Sequence, residues 1–316
     1  MWPHSLPGVA AALNEDVLRK YIEAGRIAAT VREEALRLIK PGAKLLDICE
    51  YVERRIVELG GRPAFPCNIS VNEVAAHYTP PIGDESRIPE EAVVKLDLGV
   101  HIDGYIADTA ATVDTTEKWE KLLEAVREAL EHALETVKPG TAFSETSRVI
   151  ENTIKSHGFM PVVNLGGHSL GRYIIHAGES IPNAYEPSLH GAYRAGHAYA
   201  IEPFGTNGVG YVDEGELVTI YALLPVRRRG RLDLVARKVL KAINERFKTL
   251  PFTERWLVDV TASVDALRAA LRRLARSGYL IEYPILVERS RGIVAQFEHT
   301  VVLTDDGEAI VTTVLR

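Results

Sequence analysis

Val93-Val94-Lys95-Leu96-Asp97-Leu98-Gly99-Val100-His101-Ile102-Asp103-Gly104-Tyr105-Ile106-Ala107-Asp108-Thr109 reads as two apolar, β-prone runs joined by a turn. Asp103-Gly104 is the turn signal, because short hairpin loops favour Asp-Gly. Asp97 interrupts the first run and Asp108 the second. A carboxylate inside a buried strand is costly unless something cationic meets it. Two of them on neighbouring strands suggest a shared cation. Each taken alone also fits a residue that merely ends or caps its strand.

Upstream of this hairpin, apolar residues recur at helical spacing from Asn14 to Ile39, with Asn14 as the cap. Lys40-Pro41-Gly42 stops that helix, and a second follows from Leu45 to Leu59, closed by Gly60-Gly61. The same text returns 98 residues later: Leu38–Gly60 aligns without gaps on Thr136–Gly158. Lys-Pro-Gly repeats, Glu53 matches Glu151, Ile56 matches Ile154 and Gly60 matches Gly158, six identities in 23 positions. That exceeds what helical periodicity alone produces, so the spacing predicts an internal duplication. Its period is too long for a solenoid and fits two halves about a pseudo-two-fold axis. Carried forward, the register sets His77 almost opposite His176. Paired helices and hairpins in each half predict an α+β fold, with sheet lining the site and helices behind it.

From Pro225 to Tyr283 the texture changes. Arg227-Arg228-Arg229-Gly230-Arg231 leads into helix-like runs at Leu234–Phe247 and Val264–Ser277, then the β-rich Tyr279–Tyr283. We expect a helical, winged-helix-like insert over 227–283, with the catalytic domain formed by 1–226 and 284–316. The chain returns to β-rich text in Gly292–Leu303 and Glu308–Leu315.

Composition narrows the class. A chain of 316 residues, 46% hydrophobic and 25% charged, builds a large core as an ordinary globular protein. The net charge of −6 gives no reason to expect nucleic acid or an anionic membrane as main partner. Cys49 and Cys67 are too few for a disulfide framework and fit a reducing cytosol. Met1-Trp2-Pro3-His4 carries no signal pattern, and no apolar run is long enough to span a membrane, so a cytoplasmic location is expected. Gln296 is the only glutamine, and only Met1 and Met160 are methionine, a scarcity of thermolabile side chains that leans towards a thermophile.

The polar residues that interrupt apolar β text are Asp97, Asp108, Glu202 in Ala198–Phe204, and Glu298 in Val294–Val302. His168 sits in the glycine-rich Gly166–Gly171. Four carboxylates and one imidazole suit hard or borderline divalent cations rather than a thiolate-zinc site. Two metals about 3.5–4 Å apart, bridged by carboxylates, are a common hydrolytic device. Any one of the five is better read as a satisfied strand-end residue; together, beside the duplicated histidines, they favour the metal.

Asn68-Ile-Ser-Val-Asn-Glu-Val-Ala-Ala-His77-Tyr-Thr-Pro, the Asp97…Asp108 hairpin, Gly167-His168-Ser169…Ile175-His176-Ala177-Gly178, Ile201-Glu202-Pro203-Phe204 and Gln296-Phe297-Glu298-His299-Thr300 are similar to type II methionine aminopeptidases of the pita-bread fold. The resemblance covers nearly the whole chain. The insert before Glu298 is what separates type II from type I, and the missing polybasic extension resembles archaeal forms. It implies two divalent ions per chain, of cobalt, manganese, iron or zinc. Asp97 would chelate one, His168 and Glu202 the other, with Asp108 and Glu298 bridging. Glu202 would also move a proton to the leaving amine. His77 would contact the scissile amide and His176 the carbonyl oxygen, while Phe65, Ile175 and Tyr283 would line the methionine pocket. Eukaryotic relatives place another histidine in that wall, but none occurs here between His197 and His299. The implied partners are N-terminal methionyl peptides and nascent chains, met by a monomer, with no membrane and no specific nucleic acid.

Other features have plainer readings. His101, His132, His157 and His190 read as surface or structural, and Cys67 as a small apolar filler without a supporting base. Arg268, Arg272, Arg273 and Arg276 repeat at helical spacing as a solvated face, with a ribosome or RNA contact the sharper alternative. Two rival functions remain. An Xaa-Pro peptidase of the same fold usually has a separate domain before the catalytic one, whereas 96 residues precede Asp97 and already hold the first repeat's helices. A non-catalytic RNA- or protein-binding relative is expected to have lost ligands that this chain keeps.

Overall fold

The computed structural model describes residues 13–224 and 232–315. The Arg227–Arg231 run, the expected insert boundary at 227 and the Met1–His4 start lie outside them.

Helix α1 spans Glu15–Leu36, its first turn closed by the Asn14 side chain, which accepts from Val17 N at 2.9 Å. Helix α2, Leu45–Glu58, ends where Gly60 takes a φ of +91°, a left-handed stop that costs only glycine nothing. Helices α3, Glu120–Thr136, and α4, Phe143–Ser156, repeat the pair, and Gly158 closes α4 at +83°. Equivalent strands follow: Arg62–Pro63 and Asn68–Val71 in the first half, Met160–Pro161 and Gly166–Leu170 in the second. The duplication read in sequence is therefore a duplication of conformation. Each matched glutamate accepts from a backbone N–H, Glu53 from Cys67 and Glu151 from Tyr185.

Each helix pair covers one antiparallel sheet. In the first, Val93–Ile102 pairs with Tyr105–Asp114 and, at other registers, with Arg62–Pro63 and Asn68–Val71. Ile27, Val31, Ile48, Val52 and Ile56 bury it against Ile69, Leu96 and Leu98. In the second, the strand order is Ala309–Val311, His299–Leu303, Ala198–Ile201, Gly166–Leu170, Ser180–Pro182. Leu122, Val126, Ile150 and Ile154 cover it against Tyr199, Ile201 and Val301. The halves meet along a seam: Glu298 N donates to Ala110 O at 3.0 Å, Asp108 N to Thr300 Oγ1 at 2.7 Å, and Thr112 Oγ1 to Gln296 O at 2.6 Å. This is the α+β, pita-bread architecture expected from sequence.

Helices α5, Leu234–Arg246, and α6, Val264–Arg276, with the short 3-10 turn Glu254–Leu257, share their own core of Val239, Ile243, Phe252, Leu267, Leu271 and Leu274. The expected β run Tyr279–Tyr283 belongs to a longer strand, Leu280–Glu288, so the boundary expected at 283 falls inside a strand. That strand pairs with Val212–Leu223 and then with Val74–Ala76. Pro284, which lacks an N–H, sits opposite Val218 where the ladder slips register. Among the described residues no helix is long and apolar enough to cross a membrane.

Candidate metal centre

Strand register brings the carboxylates together. Asp108 pairs with Gly99, two residues beyond Asp97, so both aspartates share one face of the hairpin. His168 pairs with Ala200, two residues before Glu202, and the same logic sets those two on one face of the second sheet. Glu298 lies at the seam between strands Val294–Gln296 and His299–Leu303. A side chain at Gly99 would strike the Phe65 ring at 2.3 Å, so the glycine opposite Asp108 makes room for that aromatic wall.

Nine of the ten side chains singled out in sequence line one cavity: Phe65, His77, Asp97, Asp108, His168, Ile175, His176, Glu202 and Tyr283. Glu298, buried to 1% exposure, joins both halves of the polar cluster. Ligand-capable atoms of Asp108, His168 and Glu298 lie within 4.8 Å of one another, and so do those of Asp97, Glu202 and Glu298. Glu202 thus falls in the group of Asp97 and Glu298, while the resemblance implies that it shares an ion with His168. Gln296 explains the placement, its Nε2 donating to Glu202 Oε1 at 2.6 Å.

The electrostatics of the cluster are those of a cation site. Burial pushes the Asp97 carboxyl up to about 7, against the pull of a hydrogen bond from Gln296. Burial, then the Asp97 charge, holds Asp108 well above its ordinary value. Glu202 is raised by burial and by both aspartates, and Glu298 by burial, Asp108, Glu202 and Asp97. Asp97 Oδ1, Asp108 Oδ1, both Glu298 carboxylate oxygens and His168 Nδ1 are buried without a hydrogen-bond partner among the described residues. Buried polar atoms are almost always paired, so orphaned oxygens and one orphaned imidazole nitrogen fit divalent metal.

Three histidines line the same cavity. Burial lowers His168 and His77 to about 4, and His176 further below its ordinary value, with the His168 and His77 charges adding to its case. The His168 and His176 rings meet edge-on at 4.5 Å, and His77 meets Tyr283 at 5.5 Å. His77 holds a φ of +66°, a left-handed conformation that a non-glycine residue keeps only where its surroundings impose it. Its Nδ1 lies 3.2 Å from Pro284 O, and a carbonyl can only accept, so Nδ1 carries the proton and Nε2 is the acceptor.

Sequence reasoning missed Asn68, Phe204, Ile220 and Pro251 in the cavity wall, and Gln296 behind it. Gln296 had a signal, a single glutamine inside an apolar run two residues before Glu298. Ile220 and Pro251 had none, because only the fold brings their segments to the site.

The pattern of metallopeptidase family M24 matches residues 19–305. The methionine aminopeptidase of Thermococcus kodakarensis is 50% identical over 294 residues, covering 92% of this chain and 98% of the relative. That of Saccharolobus solfataricus is 48% identical over 300 residues, covering 95% and 99%. Among solved structures, that of a thermophilic Arx1 superposes with a TM-score of 0.84 at 20% identity, covering 95% of this chain and 91% of the other, a likeness of fold.

Proposed function

We propose how this site works from one premise: the chain belongs to metallopeptidase family M24, among the methionine aminopeptidases, and removes N-terminal methionine in a metal-dependent reaction. The two ligand groups that share Glu298, with their orphaned buried atoms, carry the reading. They support two divalent ions, held by Asp97, Asp108, His168, Glu202 and Glu298. When bound, such ions polarise the scissile carbonyl and acidify water near neutral pH. Manganese, iron, cobalt and zinc all tolerate this donor set.

The chain's own groups do the rest. Gln296 holds Glu202 Oε1, which leaves Oε2 to take a proton from the attacking water and deliver it to the leaving amine. His77, proton fixed on Nδ1 by Pro284, presents Nε2 as acceptor to the scissile N–H. His176, kept neutral by burial, donates to the carbonyl oxygen as charge develops there. Phe65, Ile175 and Tyr283, joined by Phe204, Ile220 and Pro251, form an apolar pocket that suits an unbranched thioether. A β-branched residue there loses about 1–3 kcal/mol for each misfit of methylene size. The crowded mouth beside His77 and His176 favours glycine, alanine or serine as the second residue. Nascent chains, met in the cytoplasm by a monomer, are the substrates this reading implies.

The test is methionine release by metal-stripped protein with each divalent ion restored in turn. Release from Met-Ala-Ser and none from Ala-Pro dipeptides is expected; the reverse would make it an Xaa-Pro peptidase. A Met-Xaa-Ser-Lys series then checks the pocket, since equal release from Met-Gly and Met-Trp would refute it.

A further inference from the structure

We propose that the solvent face of the α5–α6 layer docks the phosphate backbone of RNA. The two helices run antiparallel, and the Arg273–Asp233 ion pair at 3.4 Å sets the end of α6 beside the start of α5. At that end Arg237 and Lys238 of α5 and Arg272, Arg273 and Arg276 of α6 are all exposed, with Lys241 one turn along. Among the described residues no ion pair neutralises Arg237, Lys238, Arg272 or Arg276. The far end of the layer is balanced instead: Arg246 forks onto Asp259 at 2.8 and 2.5 Å, and Arg268 onto Glu254 at 2.8 and 2.6 Å.

Stability gives no reason for this asymmetry. Arg237 and Lys241, and Arg272 and Arg276, stand four residues apart, a spacing at which like charges destabilise a helix. Between 227 and 283 the sequence carries fourteen Lys and Arg against six Asp and Glu, although the whole chain is at −6. The whole-chain charge that argued against nucleic acid therefore averages over a strongly cationic module and a more acidic body. A polyanion is repelled by one and drawn to the other, which fixes its orientation. Arginine forks also match phosphate geometry. An anionic membrane fits less well, because a helix lying on lipid turns an apolar stripe outward. Here Ala236, Val239, Ile243, Leu267, Leu271 and Leu274 turn inward, and only Leu234 and Val235 are exposed large apolar residues on the two helices.

The position serves the proposed function. Ile220 and Tyr283 pair directly across two strands and face the cavity. Tyr221, Leu223 and Leu280 on the same strands face α5 and α6. RNA held by the helices thus lies behind the sheet and leaves the cavity free for a peptide. The purpose, though not the binding, rests on the nascent-chain reading: ribosomal RNA is the polyanion that accompanies every such chain.

The experiment titrates metal-loaded, full-length protein into a fluorescent 20-nucleotide RNA, single-stranded and hairpin, from 50 to 300 mM KCl. Binding should weaken with a log–log slope near −3, as expected for about four phosphates. Reversing Arg237→Glu, Lys238→Glu, Arg272→Glu and Arg276→Glu together should cost at least tenfold in affinity, and the four Gln replacements nearly as much. Lys121→Glu with Arg148→Glu, on other helices, should change nothing. Methionine release from Met-Ala-Ser should be equal in all, so failure of the peptidase reading registers separately. No RNA binding at 50 mM KCl, unchanged affinity in a variant whose thermal midpoint is intact, or tighter binding to phosphatidylglycerol vesicles than to RNA would overturn the proposal.

Discussion

Burial makes Asp108 and Glu298 costly to ionise, and neighbouring charge adds to it, from Asp97 at Asp108 and from Asp108, Glu202 and Asp97 at Glu298. Cations relieve that cost, so removing one carboxylate should cost binding rather than only chemistry. We expect Asp108→Asn and Glu298→Gln each to bind less metal and lose most turnover; elemental analysis beside kinetics checks both, and full metal with near-normal kcat would sink the assignment. His77→Ala and His176→Ala should differ, keeping metal while kcat/KM drops by roughly 10²–10³, as for one lost transition-state contact. One residue outside the site titrates as well. Burial, then the Arg62 and Lys248 charges, hold His101 at about 4, and its Nδ1 accepts from Gly104 N at 3.0 Å to close the hairpin turn. The unfolded chain takes up this proton near 6.5, so between the two values the unfolded state binds more protons. Stability from His101 is whole above about 6.5 and is lost as pH falls towards 4. The drop in thermal midpoint across that window should be smaller in His101→Gln than in the parent, and equal drops would remove His101 from the account.

At the scale of elements, Glu53 on α2 links the helical module to the pocket. Its carboxylate receives Arg255 at 2.7 Å through both nitrogens, Trp256 Nε1 at 2.8 Å and Cys67 N at 3.3 Å. Arg255 also donates to Pro80 O at 2.8 Å, so the 3-10 turn is bolted to the segments on either side of His77. Glu53→Ala leaves a buried guanidinium unpaired, at a cost of about 3–5 kcal/mol. We expect a fall of roughly 10 °C in thermal midpoint, and a rise in KM larger than the loss in kcat, because Phe65 lies two residues from Cys67. Glu53→Leu with Arg255→Met should recover most of the stability; if it does not, the packing and not the charge pair holds the joint. This joint was invisible in sequence, where Glu53 registered only as a match to Glu151. Helices, by contrast, were legible to within a few residues, because capping and helical periodicity are local: Asn14 caps α1 and glycines stop α2 and α4. The β run Tyr279–Tyr283 stops short of the observed strand Leu280–Glu288, which continues through Pro284 where the register slips opposite Val218.

The whole molecule is two like halves closed on each other, and the candidate ligands divide between them. Asp97 and Asp108 belong to the first sheet, and His168, Glu202 and Glu298 lie beyond the seam. That division explains what could be read. The duplication was legible because both copies kept Lys-Pro-Gly and the closing glycine, and the carboxylates were legible because they interrupt apolar strands. The seam was not, since Thr109 Oγ1 donating to Glu298 O and Thr112 meeting Gln296 join residues more than 180 positions apart. Ions shared by the five ligands would staple one half to the other, so they should bear on stability as well as on chemistry. At a free concentration about a thousandfold above Kd, a bound ion adds roughly 4 kcal/mol. Chelation should therefore lower the thermal midpoint, restored divalent metal should raise it, and Asp108→Asn should show little of that increment. Hydrogen exchange should rise on chelation at the seam, at the amides of Asp108 and Glu298, while the helix amides of α1 and α3 stay protected. A midpoint and exchange pattern indifferent to chelation, in protein that has lost all turnover, would mean that the ions serve the reaction alone and that the seam closes by its own hydrogen bonds.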